Sequence, residues 1–257
     1  MDRIITQIYE IQTPQEAEEA AACGVDHIGS VVLSEKDWKQ PRLYQTVRTA
    51  AERGVTSSLI VLFSSRDAVF AALNYYRPDI VHFCEDITPQ GAMGREKVKF
   101  LVDLQQQVRQ RFPHIRIMRS IPIVRTGAQQ KSPVLELAAP FEPVSDYFLT
   151  DTLVPDAAVQ PVDGFVGITG DVCCWQTAQK LAAASRIPVI LAGGLSPENV
   201  FEAVTSVQPA GVDSCSRTNA LDNAGRPLRF QKDWEKVRQF VSEARRAEKQ
   251  LREHIRH

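Results

Sequence analysis

Eight short apolar runs, separated by segments with helical periodicity, are the feature of this chain that most restricts its fold. Most of the runs are continuously apolar rather than alternating, which is typical of parallel strands that are covered on both faces. We interpret each run as one strand of a single parallel sheet. The runs are Arg3–Tyr9, His27–Leu33, Ser57–Phe63, Asp79–Cys84, Ile115–Ile121, Asp146–Asp151, Pro188–Ala192 and Gly211–Ser214.

The segments between the runs predict helices, and two of them carry clear start signals. Thr13 stands before Pro14, and Ser196 stands before Pro197, in the order that is typical of helix N-termini. The last helix is long, and its alternating acidic and basic residues indicate a solvated face or a helix that contacts a partner. The predicted helices are Thr13–Ala22, Leu43–Glu52, Arg66–Tyr76, Glu96–Arg111, Pro133–Ala139, Thr177–Ala184, Pro197–Val204 and Asp233–Arg256.

Eight strand–helix units in 257 residues predict an α/β protein, a single (β/α)8 TIM barrel over residues 1–257 with an extended C-terminal helix. A doubly wound sheet is the competing architecture. It usually has fewer strands and a glycine-rich turn after its first strand, and this chain lacks that turn. The longest irregular stretch, Thr152–Gly170, is either a lid over a site or a solvated crossover.

Composition and charge exclude several classes of function. Thirty Lys and Arg residues against 31 Asp and Glu residues leave a net charge of −1, so nothing indicates binding to nucleic acid or to an anionic membrane surface. No run of about 18 apolar residues predicts a membrane span, and the N-terminus does not resemble a secretory signal. Five cysteines, an odd number that includes the adjacent Cys173 and Cys174, predict reduced thiols in the cytoplasm. Because metal-binding spacings and a dinucleotide fingerprint are missing, we expect neither a metal nor a cofactor.

Three loops at the C-terminal ends of the strands predict a phosphate site, because the binding residues of this fold lie on that face. Gly193 and Gly194 follow the seventh strand and precede a helix N-terminus, where free N–H groups favour an anion. Ser216 and Arg217 follow the eighth strand, and Gly170 follows the sixth. We therefore expect these five residues to hold a small phosphorylated substrate or ligand.

The same segments resemble the C-terminal half of the phosphoribosylanthranilate isomerase family. That family typically carries G-x-[ST]-G in a run that ends in Asp-Trp, then L-[AS]-G-G-L-x-P-x-N-V, then G-V-D-x-x-S-G. This chain has GITGDVCCW at 167–175, PVILAGGLSPENV at 188–200 and PAGVDSCS at 209–216, while GVDHIG at 24–29 and FLTDT at 148–152 match more weakly. The resemblance implies a ribulose-phosphate-binding barrel. It also implies an Amadori rearrangement in tryptophan biosynthesis, the aldose–ketose isomerisation of a phosphoribosyl substrate.

The resemblance also implies roles for individual residues. The family's general acid, an Asp at the end of the sixth strand, corresponds to Asp151. Its base is a Cys in a Lys-Ile-Cys-Gly run at the end of the first strand. QIYE at 7–10 stands there in this chain, so Tyr9 replaces the Cys and Glu10 replaces the Gly. A phenol with an ordinary pKa of about 10 holds little phenolate at neutral pH, so the base is Glu10, Glu85 or a perturbed Tyr9.

The positions that would contact the substrate differ as well. The family's Arg after the second strand, which contacts the anthranilate carboxylate, corresponds to Asp37. Arg119 stands where the family often carries a basic residue, and together with Glu85 it is a predicted substrate contact. The alternatives to Asp37 in this loosely matching loop are Lys36, Lys39 and Arg42.

Three functions follow from these observations as alternatives. The first is a phosphoribosylanthranilate isomerase whose base has moved to another residue. The second is a phosphosugar enzyme of different specificity on the same barrel. The third is a non-catalytic protein that binds a phosphorylated ligand, with Tyr9 filling the former pocket. In each case we expect a monomer or a homodimer.

Overall fold

The structure is a computed structural model that describes residues 3–88, 91–128, 133–154, 164–167 and 169–254. In these ranges strands and helices alternate as the sequence predicts. The strands are β1 (Ile5–Ile8), β2 (His27–Val32), β3 (Thr56–Val61), β4 (Ile80–Phe83), β5 (Arg116–Val124), β6 (Tyr147–Leu153), β7 (Val189–Leu191), β8 (Gly211–Ser214), β9 (Asn219–Leu221) and β10 (Pro227–Lys232). The helices are α1 (Pro14–Ala22), α2 (Pro41–Glu52), α3 (Arg66–Tyr76), α4 (Gly91–Arg111), α5 (Val134–Ala138), α6 (Trp175–Ala184), α7 (Val200–Val207) and α8 (Trp234–His254).

Strands β1–β8 form one closed parallel barrel in chain order, which confirms the predicted (β/α)8 architecture. β8 pairs with β1 from Gly211 opposite Ile5 to Ser214 opposite Ile8, and this pairing closes the sheet. Apolar side chains also fill the barrel interior, so each strand is covered on both faces, as its continuous apolar composition indicates. The interior cluster contains Tyr9, Val31, Ile80, Met118, Leu149, Ile190 and Ala192.

Helix α7 begins at Val200 rather than at Pro197, so the prediction that Ser196 is its N-cap is wrong. Asn199 Oδ1 accepts a hydrogen bond from the backbone N–H of Ser196 at 2.8 Å. Asn199 Nδ2 donates to the carbonyl oxygen of Gly194 at 3.1 Å. These two bonds hold the segment between β7 and α7 in a turn, which delays the start of the helix.

A β-hairpin that the sequence pattern does not predict follows β8. Strands β9 and β10 are antiparallel, with Leu221 opposite Pro227 and Asn219 opposite Lys232. The Lys232 side chain is buried, and its Nζ donates to the carbonyl oxygen of Cys215 at 2.8 Å. The hairpin is therefore fixed to the loop after β8, at the C-terminal end of the barrel.

The extended helix α8 is amphipathic, and one of its faces packs on the barrel. Val237, Phe240 and Ala244 on that face are fully buried. Arg245 donates hydrogen bonds to the carbonyl oxygen of Ile4 and to the Asp26 carboxylate, at the N-terminal end of the barrel. Among the described residues, none of the helices combines the length and the apolar composition that a membrane crossing requires.

Glu85 and Arg119, both predicted as substrate contacts, bind each other between the barrel and its helices. Arg119 Nη1 donates to Glu85 Oε2 at 2.6 Å, and both side chains are buried. Arg119 Nε also donates to Gln105 of α4 at 2.9 Å, and its guanidinium lies 4.6 Å from the ring centre of Phe141. Side chains alternate along a strand, so Arg119 faces the helices because Met118 before it faces the barrel interior. The pair therefore joins β4 and β5 to α4, and this corrects the prediction that it contacts substrate.

Removing one partner of this ion pair is expected to destabilise the fold strongly. Arg119→Met leaves the Glu85 carboxylate buried without its cation, which typically lowers the free energy of unfolding by about 3–5 kcal/mol. Arg226→Met, which breaks the exposed ion pair with Asp222, is the matched control and should cost less than about 1 kcal/mol. Urea denaturation followed by circular dichroism measures both losses. Equal and small losses in the two variants would contradict the structural role of the pair.

Candidate active site

A cavity that is open to solvent lies at the C-terminal end of the barrel, and its empty space, with the solvent at its mouth included, is about 830 Å³. It is surrounded by the ends of the strands and by the loops after β6, β7 and β8, the face on which this fold carries its sites. Glu85 and Arg119 are not part of its lining. The other predicted site residues all line it and therefore lie together: Tyr9, Glu10, Asp151, Gly170, Gly193, Gly194, Ser216 and Arg217.

Asp151, the predicted general acid, lies in β6 with its carboxyl group against the loop that follows this strand. Gly167 packs on it so closely that a Cβ atom on this glycine would lie 2.3 Å from Asp151 Oδ2. Asp151 Oδ1 accepts a hydrogen bond from the N–H of Thr152 at 2.9 Å. Loss of hydration outweighs this bond and raises the pKa of Asp151 to about 7. A carboxyl group with this pKa is present in both protonation states at neutral pH, as a general acid requires.

The loop that covers Asp151 is held in place by the end of β4. The N–H of Val166 donates to the carbonyl oxygen of Cys84 at 2.9 Å, and the N–H of Asp86 donates to the carbonyl oxygen of Gly164 at 2.9 Å. Phe165, between these two bonds, lines the cavity. The described part of the predicted loop therefore crosses the barrel mouth, as a lid would. Residues 155–163 and 168 of that loop lie outside the described residues.

A second carboxyl group, to which the sequence motifs assign no role, lines the same cavity. Asp213 belongs to β8 and is 7% exposed, and its Oδ1 accepts a hydrogen bond from Gln7 Nε2 at 3.1 Å. Burial, together with the negative charge of Asp151, raises the pKa of Asp213 to about 7. The available signal was an acidic residue inside an otherwise buried strand. Such groups are rarely buried unless they are paired or functional.

The Tyr9 side chain is buried at the mouth of the barrel, and its hydroxyl group is hydrogen-bonded to two polar side chains. Its hydroxyl oxygen lies 2.6 Å from Ser58 Oγ and 2.7 Å from His82 Nδ1, and His82 Nε2 lies 2.8 Å from Ser120 Oγ. Burial raises the pKa of Tyr9 well above its ordinary value and lowers the pKa of His82 to about 3, so both groups are neutral. A Cβ atom on Gly29 would lie 2.1 Å from the Tyr9 ring, so only glycine fits at this point of β2. A phenol held in this way is unsuited to act as a base.

Glu10 lies at the rim of the cavity, but its carboxylate is occupied by the β9–β10 hairpin. Its Oε1 accepts from Arg229 Nε at 2.7 Å, and its Oε2 accepts from Asn219 Nδ2 and from the N–H of Phe230, both at 3.2 Å. Burial opposes ionisation, but the hydrogen bond and charge of Arg229 outweigh it and lower the pKa of Glu10. The backbone of Glu10 is left-handed, with φ at +66°, a conformation that favours glycine. Glu10 therefore anchors the hairpin and is a weak base.

The predicted phosphate-binding residues lie together at the ends of β7 and β8. Arg217 Nε donates to the carbonyl oxygen of Gly170 at 2.9 Å. A Cβ atom on Gly170 would lie 3.4 Å from Ser216 Oγ, so these residues are neighbours. A Cβ atom on Gly193 would lie 2.3 Å from a threonine hydroxyl, and one on Gly194 would lie 2.6 Å from the backbone of the loop after β6. The glycine pair therefore allows close packing of two loops and also leaves its backbone open to the cavity.

The thiols of the cavity wall are not prepared to act as bases. Cys84 and Cys215 both line the cavity, and burial raises the pKa of each. All five cysteines are free. Among the described residues, no group of three or more His, Cys, Asp or Glu side chains could hold a metal ion.

Residues 117–243 match the family model described as N-(5'phosphoribosyl)anthranilate (PRA) isomerase. A relative from Methanocella arvoryzae, named N-(5'-phosphoribosyl)anthranilate isomerase, is 31% identical over 238 residues. The match spans 91% of this chain and 94% of the relative. The similarity thus extends over nearly the whole barrel.

Solved structures share the fold at lower identity. The structure of N-(5'-phosphoribosyl)anthranilate isomerase from Pyrococcus furiosus is 20% identical, with a TM-score of 0.63 over 95% of this chain and 100% of that chain. A phosphoribosyl anthranilate isomerase in complex with reduced 1-(o-carboxyphenylamino)-1-deoxyribulose 5-phosphate is 18% identical, with a TM-score of 0.61 over 94% and 98% of the two chains. Since the Methanocella relative is 31% identical over 91% of the sequence, this chain belongs to the N-(5'-phosphoribosyl)anthranilate isomerase family.

Proposed function

We propose that this protein isomerises an N-substituted phosphoribosylamine to the corresponding 1-amino-1-deoxyribulose 5-phosphate. The observation that carries the proposal is that Asp151 and Asp213, two carboxyl groups with pKa values of about 7, line one cavity. An aldose–ketose isomerisation requires one group that donates a proton and one that accepts a proton at neutral pH. A pair of carboxyl groups of this kind supplies both. Membership of the isomerase family supports the same class of reaction.

The phosphate group of the substrate is assigned to the end of the cavity near β7 and β8. Arg217 provides a guanidinium that neutralises the phosphate charge, and Ser216 provides a hydroxyl donor. Gly170, Gly193 and Gly194 provide backbone that a phosphate can approach closely. The ligand in the related complex also carries a 5-phosphate, which supports a phosphorylated substrate.

Asp151 is assigned as the general acid of the first step. It donates its proton to the ring oxygen of the ribose, the bond between that oxygen and C1' breaks, and C1' forms an iminium with the substrate nitrogen. Asp151 packs against Gly167 and lines the cavity in which the ring oxygen of the substrate would lie. The resulting carboxylate remains in the cavity, and in the reverse direction it accepts the proton back from the sugar hydroxyl.

Asp213 is assigned as the general base of the second step. It removes the proton from C2', and the electron pair of that C–H bond forms a C1'–C2' double bond while the iminium nitrogen becomes neutral. The enol hydroxyl on C2' then gives its proton to the Asp151 carboxylate, and C1' takes the proton that Asp213 holds, which gives the ketone and restores both carboxyl groups. Tyr9 and Glu10 are weaker candidates, because the first is held as a neutral phenol and the second is bound by Arg229.

Binding without turnover is a second candidate function, and one observation favours it. The Tyr9 ring is buried directly after β1, where the resemblance places the family's thiol base. If no proton can be removed from C2', the cavity retains a phosphate site and an acid but no isomerase activity. Measured turnover separates the two candidates.

Turnover of the glycosylamines that ribose 5-phosphate forms with aniline or anthranilate tests the proposal. We expect isomerisation with a bell-shaped pH dependence of kcat/KM that is centred near pH 7, because the singly protonated carboxyl pair is the active form. Asp151→Asn and Asp213→Asn should each lower kcat by about 10²–10⁴. Asp222→Asn, on the hairpin, is the matched control and should retain full activity. Undetectable turnover of both substrates, or a full rate in either cavity variant, would overturn the assignment.

The buried charge of Asp213 should also appear in the stability of the unliganded protein. Because its folded pKa of about 7 is raised above its unfolded value, the folded state binds more protons, and the free energy of unfolding falls as the pH rises from about 4 to about 7. Asp213→Asn removes this loss and should be more stable than the wild type by about 1–3 kcal/mol at pH 8, and nearly equal to it at pH 4. Urea unfolding at the two pH values measures the difference. A variant that is less stable than the wild type at pH 8 would show that the carboxylate is stabilising there.

Tyr9→Phe separates a structural phenol from a catalytic one. The substitution keeps the ring on Gly29 but leaves the Ser58 hydroxyl and His82 Nδ1 without a partner, so the free energy of unfolding should fall by about 1–3 kcal/mol. Activity should stay within about threefold of the wild type, because the phenol takes no part in proton transfer. Loss of kcat by two orders of magnitude with unchanged folding would instead make Tyr9 the base. Steady-state kinetics and thermal unfolding of the same preparation provide both readouts.

A further inference from the structure

The side of the cavity that faces away from the phosphate-binding residues is apolar. Val31 of β2, Ile60 of β3 and Leu62 directly after β3 line this side, together with Phe165 of the loop over the mouth. In a closed barrel of eight strands β3 lies across from β7, and β4 lies across from β8. The apolar side is therefore the place for the part of the ligand that lies farthest from its phosphate.

The polar groups beside this apolar side have no free bonding capacity for a charged ligand. The Tyr9 hydroxyl is bonded to Ser58 and His82, and the second ring nitrogen of His82 is bonded to Ser120. His82 is neutral, because burial lowers its pKa to about 3. No cation is therefore available from these groups.

The charges of the described lining also disfavour a second anion. Its acidic side chains are Glu10, Asp151 and Asp213, and its only Lys or Arg side chain is Arg217, on the phosphate side. Asp37 and the basic residues near it in the sequence are absent from the described lining, and Lys39 lies with its Nζ 5.3 Å from the ring centre of Tyr75.

We infer that the substrate carries an uncharged, apolar, ring-sized group on its nitrogen, in place of the carboxyl-bearing ring of anthranilate. This inference rests on the proposed function, because the position of the phosphate defines which end of the ligand meets the apolar side. Among the described lining residues a carboxylate there would find no cation to offset its loss of hydration, and it would share the cavity with the carboxyl groups of Asp151 and Asp213. An aromatic ring without a charge would lose water from apolar surface only, which is favourable.

Two product analogues that differ only in the carboxylate test the inference. One is reduced 1-(o-carboxyphenylamino)-1-deoxyribulose 5-phosphate, and the other is the same compound with a plain phenyl ring. Isothermal titration calorimetry of the full-length protein measures both dissociation constants. We expect the phenyl compound to bind at least about 10-fold more tightly than the carboxyphenyl compound.

A single charge on the apolar side should reverse this preference. Leu62→Arg places a cation at the end of β3, and we expect it to bind the carboxyphenyl compound more tightly than the phenyl compound. Leu135→Arg adds the same charge on the exposed surface of α5 and should keep the wild-type preference. Circular dichroism verifies that both variants are folded.

The outcomes distinguish this inference from the proposed function. Equal affinities, or tighter binding of the carboxyphenyl compound by the wild type, would overturn the apolar-group inference and leave the phosphate site standing. Binding of neither compound, with inorganic phosphate also failing to bind, would overturn the proposed function and with it the inference. Tighter binding of the phenyl compound, lost in Leu62→Arg and kept in Leu135→Arg, would support both.

Discussion

The partial loss of hydration of two carboxyl groups that line one cavity is the interaction on which the rest of the site depends. Asp213 is buried in β8 with Gln7 as its hydrogen-bond partner, and Asp151 is covered by the backbone of Gly167. A carboxyl group in water is fully ionised at neutral pH and cannot donate a proton. The pKa of each of these two groups is instead about 7, so each is partly protonated at neutral pH. The cost is stability, since each carboxylate would be more favourably hydrated in the unfolded chain. The barrel can bear this cost because closure also buries a cluster of apolar side chains in its interior.

Several elements around the pair enclose the cavity that it lines. Tyr9 fills the mouth of the barrel, and it fits because β2 carries Gly29 beside the ring. The loop after β6 pairs with the end of β4 through Val166, which places Phe165 and Gly167 over the cavity. Beside β8 and β1, the β9–β10 hairpin is held to the rim of the cavity by the ion pair of Glu10 with Arg229. The backbone of Glu10 is left-handed at the position where its carboxylate binds the hairpin.

The alternation of apolar runs and helical segments was sufficient to predict the fold, because a parallel strand covered on both faces is recognisable from composition alone. The grouping of Gly193, Gly194 and Ser216 in one cavity could also be predicted, since these residues closely follow strands β7 and β8. The sequence did not reveal that the Arg119 side chain points away from the barrel interior. Its strand has no regular alternation of polar and apolar residues, so the sequence does not show that Met118 faces inward and Arg119 outward.

Contacts between distant segments account for the remaining differences. The partner of Glu10 is Arg229, which belongs to a hairpin with no strong strand pattern. The sequence therefore did not show that the Glu10 carboxylate is bound, and it predicted Glu10 as a candidate base. The late start of α7 depends on bonds of the Asn199 side chain that propensity does not encode. Asp213 was visible in the sequence as an acid within a strand, but its burial and its proximity to Asp151 are properties of the closed barrel.

A carboxyl-carbon NMR titration measures directly whether Asp151 and Asp213 titrate in the neutral range. In protein labelled with 13C at the aspartate side-chain carboxyl carbons, two resonances should titrate near pH 7, while exposed aspartates titrate near about 4. One of the two should disappear in Asp151→Asn, and the midpoint of the other should fall because a neighbouring negative charge has been removed. If all aspartate resonances titrate below about pH 5, the pair is hydrated and the account of the site is wrong.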